Sequence, residues 1–431
     1  MRSLLRRRDF GLLWTAGLIT FTGDWVLFVG LPLVVYGLTG STLSTSGIFI
    51  AALLPRIVWG SLAGVLVDRW DRRRTLVFAN LAQTVVLLPL LAVESADRIW
   101  IAYAVAFVHA SLEQVVEPAE GALLPRLVGE EDLVAANALN SLNNNLARLI
   151  GPALGGVAVA AGGIEAVVLL DAASFLGAAG LIALISADGR AARASSIGDE
   201  AVEAVTGFWR EWLAGLRLIR RTRTAAVLVA VAALTGLGEG ALITIFVPFV
   251  TETLGGDEID YGLILSAQAV GGLAGAVLIA RFAAASPAAR LLGLGAIGIG
   301  LIDVVIFVHP LFVDGIALAI ALLVVVGLPV AAYGAGLGTL RQTAVEDAYR
   351  GRLLGAYGTT LGLSLLVGTI VAGVLGDVVG LLPLLLVQSA VYTAAGVLVL
   401  WALPNRGHDQ GYGECETGCR SPVAKRSKRK G

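Results

Sequence analysis

The chain is poor in charged residues, cysteine and histidine. Of its 431 residues, 15% are Asp, Glu, Lys or Arg, whereas soluble domains carry about 25%. Its two cysteines, Cys415 and Cys419, lie in a polar C-terminal stretch without a His-rich companion, so we expect them to be reduced and unligated. These shortages argue against a soluble enzyme, a disulfide framework and a cysteine-based zinc site.

Several chemical motifs are also missing. The chain has no Gly-x-x-x-x-Gly-Lys-Ser/Thr phosphate loop, no nucleophile elbow and no His-Glu-x-x-His metal motif. The run from Gly293 to Gly298 fits Gly-x-Gly-x-x-Gly, but it lies inside an apolar stretch and follows no strand. We therefore expect no ATP-driven mechanism, no enzymatic activity, no cofactor, no metal and no nucleic-acid partner.

What the chain has in abundance is apolar sequence. Hydrophobic residues make up 57% of it, and the mean hydropathy is +0.84. A membrane-spanning helix needs about 20 apolar residues. The continuous apolar stretches predict twelve such spans and exclude a transmembrane β-barrel, whose strands alternate in short segments. The predicted spans are roughly 11–36, 44–67, 75–93, 98–118, 138–161, 165–186, 224–250, 260–281, 291–308, 314–340, 353–376 and 380–402.

The net charge of −1 conceals a strong sidedness. Of the 31 Lys and Arg residues, 28 fall in the first ten residues, in alternate loops or in the tail. Basic residues mark the cytoplasmic side of membrane proteins. We therefore expect a multi-pass protein of the plasma membrane with both termini in the cytoplasm. The exceptions are Arg98, in an opposite loop, and Arg56 and Arg148, inside spans.

The two halves of the chain resemble each other. At an offset of 215 residues, Gly23-Asp24 falls on Gly238-Glu239, and Glu131-Asp132 falls on Glu346-Asp347. Six spans per half indicate a parallel duplication around an axis along the membrane normal. The predicted organisation is a six-helix bundle over 1–186, a cytoplasmic connector with an amphipathic helix over 187–223, a second six-helix bundle over 224–402 and a disordered basic tail over 403–431.

The loop after the second span reads Gly64-Val-Leu-Val-Asp68-Arg69-Trp70-Asp71-Arg72-Arg73-Arg74. It resembles the signature loop of the major facilitator superfamily, with Asp71 in place of the usual second glycine. The resemblance implies an all-α fold of two pseudo-symmetric six-helix bundles. It also implies that this loop locks the halves together on the cytoplasmic side. The predicted gate residues are Gly64, Asp68, Arg69, Asp71, Arg72 and Arg73.

A second motif lies in the fifth span. Gly151-Pro152-Ala-Leu-Gly155-Gly156 resembles the Gly-Pro-x-x-Gly-Gly motif of antiporters in this superfamily. Proline bends a helix and glycines permit close packing, so this segment can seal or rock against its neighbours. Together the two motifs resemble the macrolide-efflux and enterobactin-exporter-like branch. This resemblance implies export of a small organic molecule such as a drug, a macrolide-like compound or a siderophore.

Ionisable residues inside spans are costly, at about 2.5 kcal/mol or more each at the bilayer centre, and so indicate function. Asp24 and Glu239 occupy equivalent places in the first and seventh spans. We expect them to bind protons or substrate, although a permanent ion pair of Asp24 with Arg56 explains Asp24 equally well. Asp171 in span 6 is a further candidate. Asp303 in span 9 is expected to make a structural contact.

The fourth span carries His109, Glu113 and Glu117, which recur every four residues and share one helix face. This series predicts a proton relay. The alternative is that Glu117 lies at the interface and pairs with Arg148.

The combined expectation is a proton-coupled exporter that works as a monomer in the bilayer by alternating access. The alternatives are an importer or uniporter of the same fold and, from another class, a non-transporting membrane receptor or a lipid-modifying enzyme.

Overall fold

The computed structural model describes residues 2–67, 70–187, 222–282, 286–313, 315–345 and 347–403, and their regular structure is helical throughout. After a short turn, α1 (Arg2–Leu5), eleven long helices follow. In chain order they are α2 (Arg8–Thr39), α3 (Thr42–Val67), α4 (Arg72–Leu87), α5 (Ile99–Val128), α6 (Leu133–Ala183), α7 (Arg223–Pro248), α8 (Glu258–Phe282), α9 (Ala288–Val308), α10 (Ile316–Thr343), α11 (Asp347–Val379) and α12 (Leu381–Ala402).

Helix α6 crosses the bundle twice and accounts for two predicted spans. Its backbone breaks at Gly162 and Gly163, and Gly163 has a φ of +57°, a conformation that favours glycine. With α6 divided there, the eleven helices provide twelve spans, as predicted. Ten of the helices are long and apolar enough to cross a membrane, and the apolar part of α3, Thr42–Ile57, is shorter.

Helix α5 is longer than the span predicted from the sequence. The fourth span is expected to end near residue 118, whereas α5 continues to Val128 through Pro118 and Pro125. A proline removes one backbone hydrogen bond, which a helix packed against neighbours tolerates. Helix α5 is packed against α3 and α4, so it meets this condition.

The two halves, α2–α6 and α7–α12, repeat one packing pattern. Helix α2 packs along α6, and its counterpart α7 packs along α11 and α12. Gly23 of α2 faces Asp171 and Ser174 of α6, while Gly238 of α7 faces Gln388 of α12. The repeat seen in the sequence therefore corresponds to equivalent close approaches of helices.

The halves meet along two seams, α6 with α8 and α3 with α11. In the first seam, Gly156 lies against the carbonyl of Glu258, and Gly262 lies against the carbonyl of Pro152. In the absence of side chains at both glycines the two helices touch through their backbones, which is the usual role of small residues between membrane helices.

Polar contacts close the two ends of the bundle differently. At the terminal end, where α2 begins, Arg7 donates to the carbonyl of Val128 at 2.9 Å and pairs with Asp132 at 2.7 Å, within one half. At the opposite end, Tyr36 donates to Glu252, and the Thr42 hydroxyl donates to Asp377 at 2.8 Å. Within the described ranges, hydrogen bonds therefore join the two halves at the opposite end.

Some predictions fall outside the described residues. These are Asp68 and Arg69 of the loop, nearly all of the connector predicted over 187–223, and the tail beyond residue 403 with Cys415 and Cys419.

Candidate functional site

A cavity of about 260 Å³, here called the central cavity, lies between the halves. The first half contributes Trp25, Phe28 and Arg148. Most of the remaining wall comes from the second half and is aromatic or aliphatic, with two carboxylates. That part of the wall includes Glu239, Leu242, Phe246, Tyr261, Gln268, Asp303, Phe307, Tyr333, Gln388 and Tyr392.

Each carboxylate of the central cavity accepts a hydrogen bond from α12. The Tyr392 hydroxyl donates to Glu239 Oε2 at 3.0 Å, and Gln388 Nε2 donates to Asp303 Oδ2 at 3.0 Å. Asp303 is 7% exposed, so α9 and α12 hold it almost entirely out of solvent. Asp303 makes the structural contact that the sequence predicts, and it also lines the cavity.

Arg148 bridges three helices at the edge of the central cavity. It donates from Nη2 to Gln268 Oε1 of α8 at 2.8 Å, and its guanidinium lies 5.9 Å from the ring centre of Trp25 on α2. The described structure therefore places Arg148 with Trp25 and Gln268, not with Glu117 as the sequence-based alternative has it.

A second cavity of about 540 Å³ lies within the first half and is here called the acidic cavity. It runs from the middle of the spans to Leu13 and Asn137, near the terminal end. Four carboxylates and one arginine line it, so its wall carries an excess of acidic groups. These residues are Asp24, Glu113, Glu117, Glu120 and Arg56.

Asp24 and Glu113, which line the acidic cavity, form a cluster with the buried His109. His109 Nε2 lies 3.9 Å from Asp24 Oδ1, and His109 Nδ1 lies 3.8 Å from Glu113 Oε1. His109 is 6% exposed, with its ring against Phe175. Neither His109 Nε2 nor Asp24 Oδ1 has a hydrogen-bond partner among the described residues.

Asp171 and Arg56 are two other charged candidates in the spans of the first half. Asp171 is fully buried on α6, accepts a hydrogen bond from Ser174 at 3.2 Å and lies against Gly23. Arg56 lines the same cavity but forms no ion pair with Asp24 within the described part of the chain. The static Asp24–Arg56 pair considered from the sequence is therefore absent from this arrangement.

The structure separates residues that the repeat made equivalent. Asp24 lines the acidic cavity, whereas Glu239 lines the central cavity. Sequence reasoning also missed Glu120, which extends the series from His109 to Glu117 by one more helical turn. The spacing carries the signal, because Glu120 follows Glu117 by three residues, but Glu120 lies beyond the predicted end of the span at residue 118.

The signature loop is described from Trp70 onward. Asp71 caps α4, since its Oδ1 accepts a hydrogen bond from the backbone N–H of Arg74 at 3.0 Å. Arg73 donates to the carbonyl of Ala183, within the same half. Arg72 lies in the first turn of α4, and Gly64 lies in α3. A bond between the halves at this loop remains a prediction.

The glycine motif of the fifth span lies where α6 meets α2. Gly151 lies against the Cβ of Trp25, and Gly155 lies against Val29. With Gly156 and Pro152 already in the seam to α8, the motif contacts both halves through its small residues.

Comparison with known proteins identifies relatives along nearly the whole chain. Residues 2–412 match the family model described as "Transmembrane secretion effector". The multidrug efflux pump Tap of Mycolicibacterium fortuitum is 28% identical over 412 residues, covering 92% of this chain and 96% of Tap. Macrolide efflux protein A of Streptococcus pyogenes is 21% identical, covering 86% of this chain and 90% of that protein.

Solved structures share the fold. A bacterial homologue of the iron transporter ferroportin in its inward-facing state has a TM-score of 0.72 at 17% identity, covering 92% of this chain and 98% of the homologue. The outward-facing state of such a homologue has a TM-score of 0.60, covering 92% and 99%.

Proposed function

We propose that the chain, which belongs to the transmembrane secretion effector family of the major facilitator superfamily, is an exporter. Its proposed cargo is an amphipathic organic cation, which it moves by alternating access. Membership makes it a multi-span membrane transporter with efflux-pump relatives. Cargo, direction and driving force are our inference from the two cavities. A single chain contains both cavities, and we propose that it functions as a monomer in the bilayer.

The chemistry of the central cavity carries the cargo assignment. Aromatic rings such as Phe246 and Tyr392 attract an organic cation through their π faces, while Glu239 and Asp303 supply negative charge. A carboxylate in a membrane interior is costly unless a cation or a proton accompanies it. Arg148 supplies one positive charge, which leaves one carboxylate for the cargo. The apolar wall accommodates the rest of an amphipathic molecule.

The hydrogen bonds at the two ends support an assignment of the conformational state. The Tyr36–Glu252 and Thr42–Asp377 bonds hold the halves together at the opposite end. The acidic cavity extends toward the terminal end. Because most basic residues belong to terminal-end loops, we place that end in the cytoplasm. In our proposal the structure then corresponds to an inward-open state.

Competition for one carboxylate is sufficient to couple export to protons. In our proposal Glu239 holds either the cationic cargo or a proton. Release of the cargo to the outside is followed by uptake of a proton from the outside, and release of that proton to the cytoplasm frees Glu239 for the next cargo. The charged and titratable groups that share its cavity are Asp303, Arg148, Tyr261, Tyr333 and Tyr392. Tyr392 contacts Glu239 directly and keeps it oriented toward the cavity.

The test is transport in inside-out membrane vesicles with an imposed pH gradient. Ethidium, a fluorescent lipophilic cation, should accumulate only when the vesicle interior is acidic. E239Q should lose gradient-dependent uptake, whereas E165Q, a change on an exposed residue that lines neither cavity, should retain it.

Each alternative gives a different result. An importer accumulates the dye in right-side-out vesicles, and a uniporter moves it without a pH dependence. A receptor or a lipid-modifying enzyme moves no dye. Unchanged proton-driven uptake by E239Q would remove Glu239 from the coupling step.

A further inference from the structure

The acidic cavity contains a second set of ligands that the export of an organic cation does not use. We propose that Asp24, His109 and Glu113 bind a divalent transition-metal ion, with Zn²⁺ as the representative. This proposal concerns the acidic cavity, whereas the cargo and coupling proposals rest on the central cavity, so either can fail alone.

The first argument is the convergence of donor atoms. One donor atom from each of the three side chains lies within 4.8 Å of the others. Zinc binds histidine nitrogen and carboxylate oxygen at about 2.0–2.2 Å, which places ligands about 3.4 Å apart. The separations between donor atoms must therefore shorten by up to about 1.4 Å. The Glu113 side chain is 44% exposed and can supply much of this shortening by rotation.

The second argument is an unsatisfied histidine. His109 is buried, and its Nε2 has no hydrogen-bond partner among the described residues although it faces Asp24 Oδ1, which also has none. A buried polar atom without a partner costs about 1–3 kcal/mol. A metal ion between the two atoms would satisfy both of them.

The third argument is charge. Asp24 and Glu113 share the cavity with Glu117 and Glu120, and Arg56 is the arginine in its described lining. A cation with two charges offsets this excess better than one arginine can. The two outer glutamates lie on the same helix between the cluster and the terminal end, so they line a route of entry for the ion.

The ligand types select the class of metal. Imidazole favours zinc, iron, nickel and copper, whereas sites made of carboxylate, carbonyl and water suit magnesium and calcium. The set has no thiolate, which disfavours copper(I). The sequence did not predict this site because its ligands come from two helices and follow no spaced metal motif.

The experiment measures metal retained by the purified full-length transporter. Cys415 and Cys419 carry thiols, which also bind zinc, so all proteins carry C415S and C419S. The affinity tag contains no histidine for the same reason. After equilibration with Zn²⁺ and gel filtration, we expect one equivalent per chain by elemental analysis. Isothermal titration should give at least tenfold weaker binding for H109Q and for D24N. Mg²⁺ in excess should not displace the zinc.

His309 provides a matched control. It is also 6% exposed, and its Nε2 also lacks a hydrogen-bond partner, but it belongs to no described cluster of metal ligands. H309Q should therefore retain wild-type zinc binding. Gel-filtration profiles identify any variant that fails to fold. If H109Q fails to fold, D24N provides the test of the site. Zinc at background levels in the parent protein, or equal binding by H109Q, D24N and the parent, would overturn the proposal.

Discussion

Tyr36 at the end of α2 donates its phenolic hydrogen to Glu252, 216 residues later in the chain and in the other half of the molecule. Close by, Thr42 at the start of α3 donates to Asp377 of α11 at 2.8 Å. Two helix pairs are thus joined by polar contacts at the same end of the bundle. Under alternating access these bonds must break whenever that end opens.

Removing the Tyr36 hydroxyl should favour opening at this end. A hydrogen bond contributes about 0.5–1.5 kcal/mol, so Y36F should shift the open population roughly two- to tenfold. The measurement is the labelling rate of T251C by a membrane-impermeant maleimide in the background without native cysteines. T39V is the control, because the described bonds of the Thr39 hydroxyl stay within the first half: it donates to the carbonyl of Val35 and accepts from the N–H of Ser41. Equal labelling in Y36F and the parent would show that the contact does not hold the end closed.

The seam between α6 and α8 should not tolerate a methyl group. A Cβ at Gly156 would collide with the carbonyl of Glu258, and overpacking costs about 1–3 kcal/mol. We expect G156A to lower the Tm in detergent by several degrees and to slow transport. G177A lies in the same helix, where a Cβ meets nothing within 4 Å, and should be neutral or slightly stabilising. A similar Tm for both variants would contradict the packing argument.

Asp71, which departs from the family's loop pattern, should stabilise α4 as its N-cap. Replacing an N-cap aspartate with alanine costs about 1 kcal/mol, while serine retains an acceptor and glycine costs a few tenths. Thermal stability should therefore decrease in the order Asp71 and D71S, then D71G, then D71A. If D71A matched the parent in Tm, the bond from Arg74 would contribute nothing.

Arg148 should weaken the binding of organic cations to the central cavity. It is the positive group beside Glu239 and Asp303 in the described wall, so R148M should bind ethidium several-fold more tightly and release it more slowly. Fluorescence titration of purified protein measures the Kd. R98M changes an exposed arginine at the opposite end and should leave the Kd unchanged. Unchanged or weaker binding by R148M would contradict the proposed repulsion between Arg148 and the cation.

Much of the fold could be predicted because membrane insertion depends on properties that are local in sequence. Continuous apolar runs predicted the twelve spans, including the division of α6 near Gly162 and Gly163. The boundary at Pro118 could not be predicted, because whether a proline ends a membrane helix depends on its neighbours. Here α5 continues past it and adds Glu120 to the acidic cavity.

The candidate site was predicted as a set of residues but not as an arrangement. The cost of charge in a membrane singled out Asp24, His109, Glu239 and Arg148, and the repeat paired Asp24 with Glu239. Only the tertiary structure assigned these two carboxylates to separate cavities and turned Arg148 toward Gln268. Hydrophobicity and charge are properties of each residue and its near neighbours, so the sequence determined spans, duplication and the short list of costly residues. Cavities and ion partners depend on distances between helices far apart in the chain, which packing alone decides.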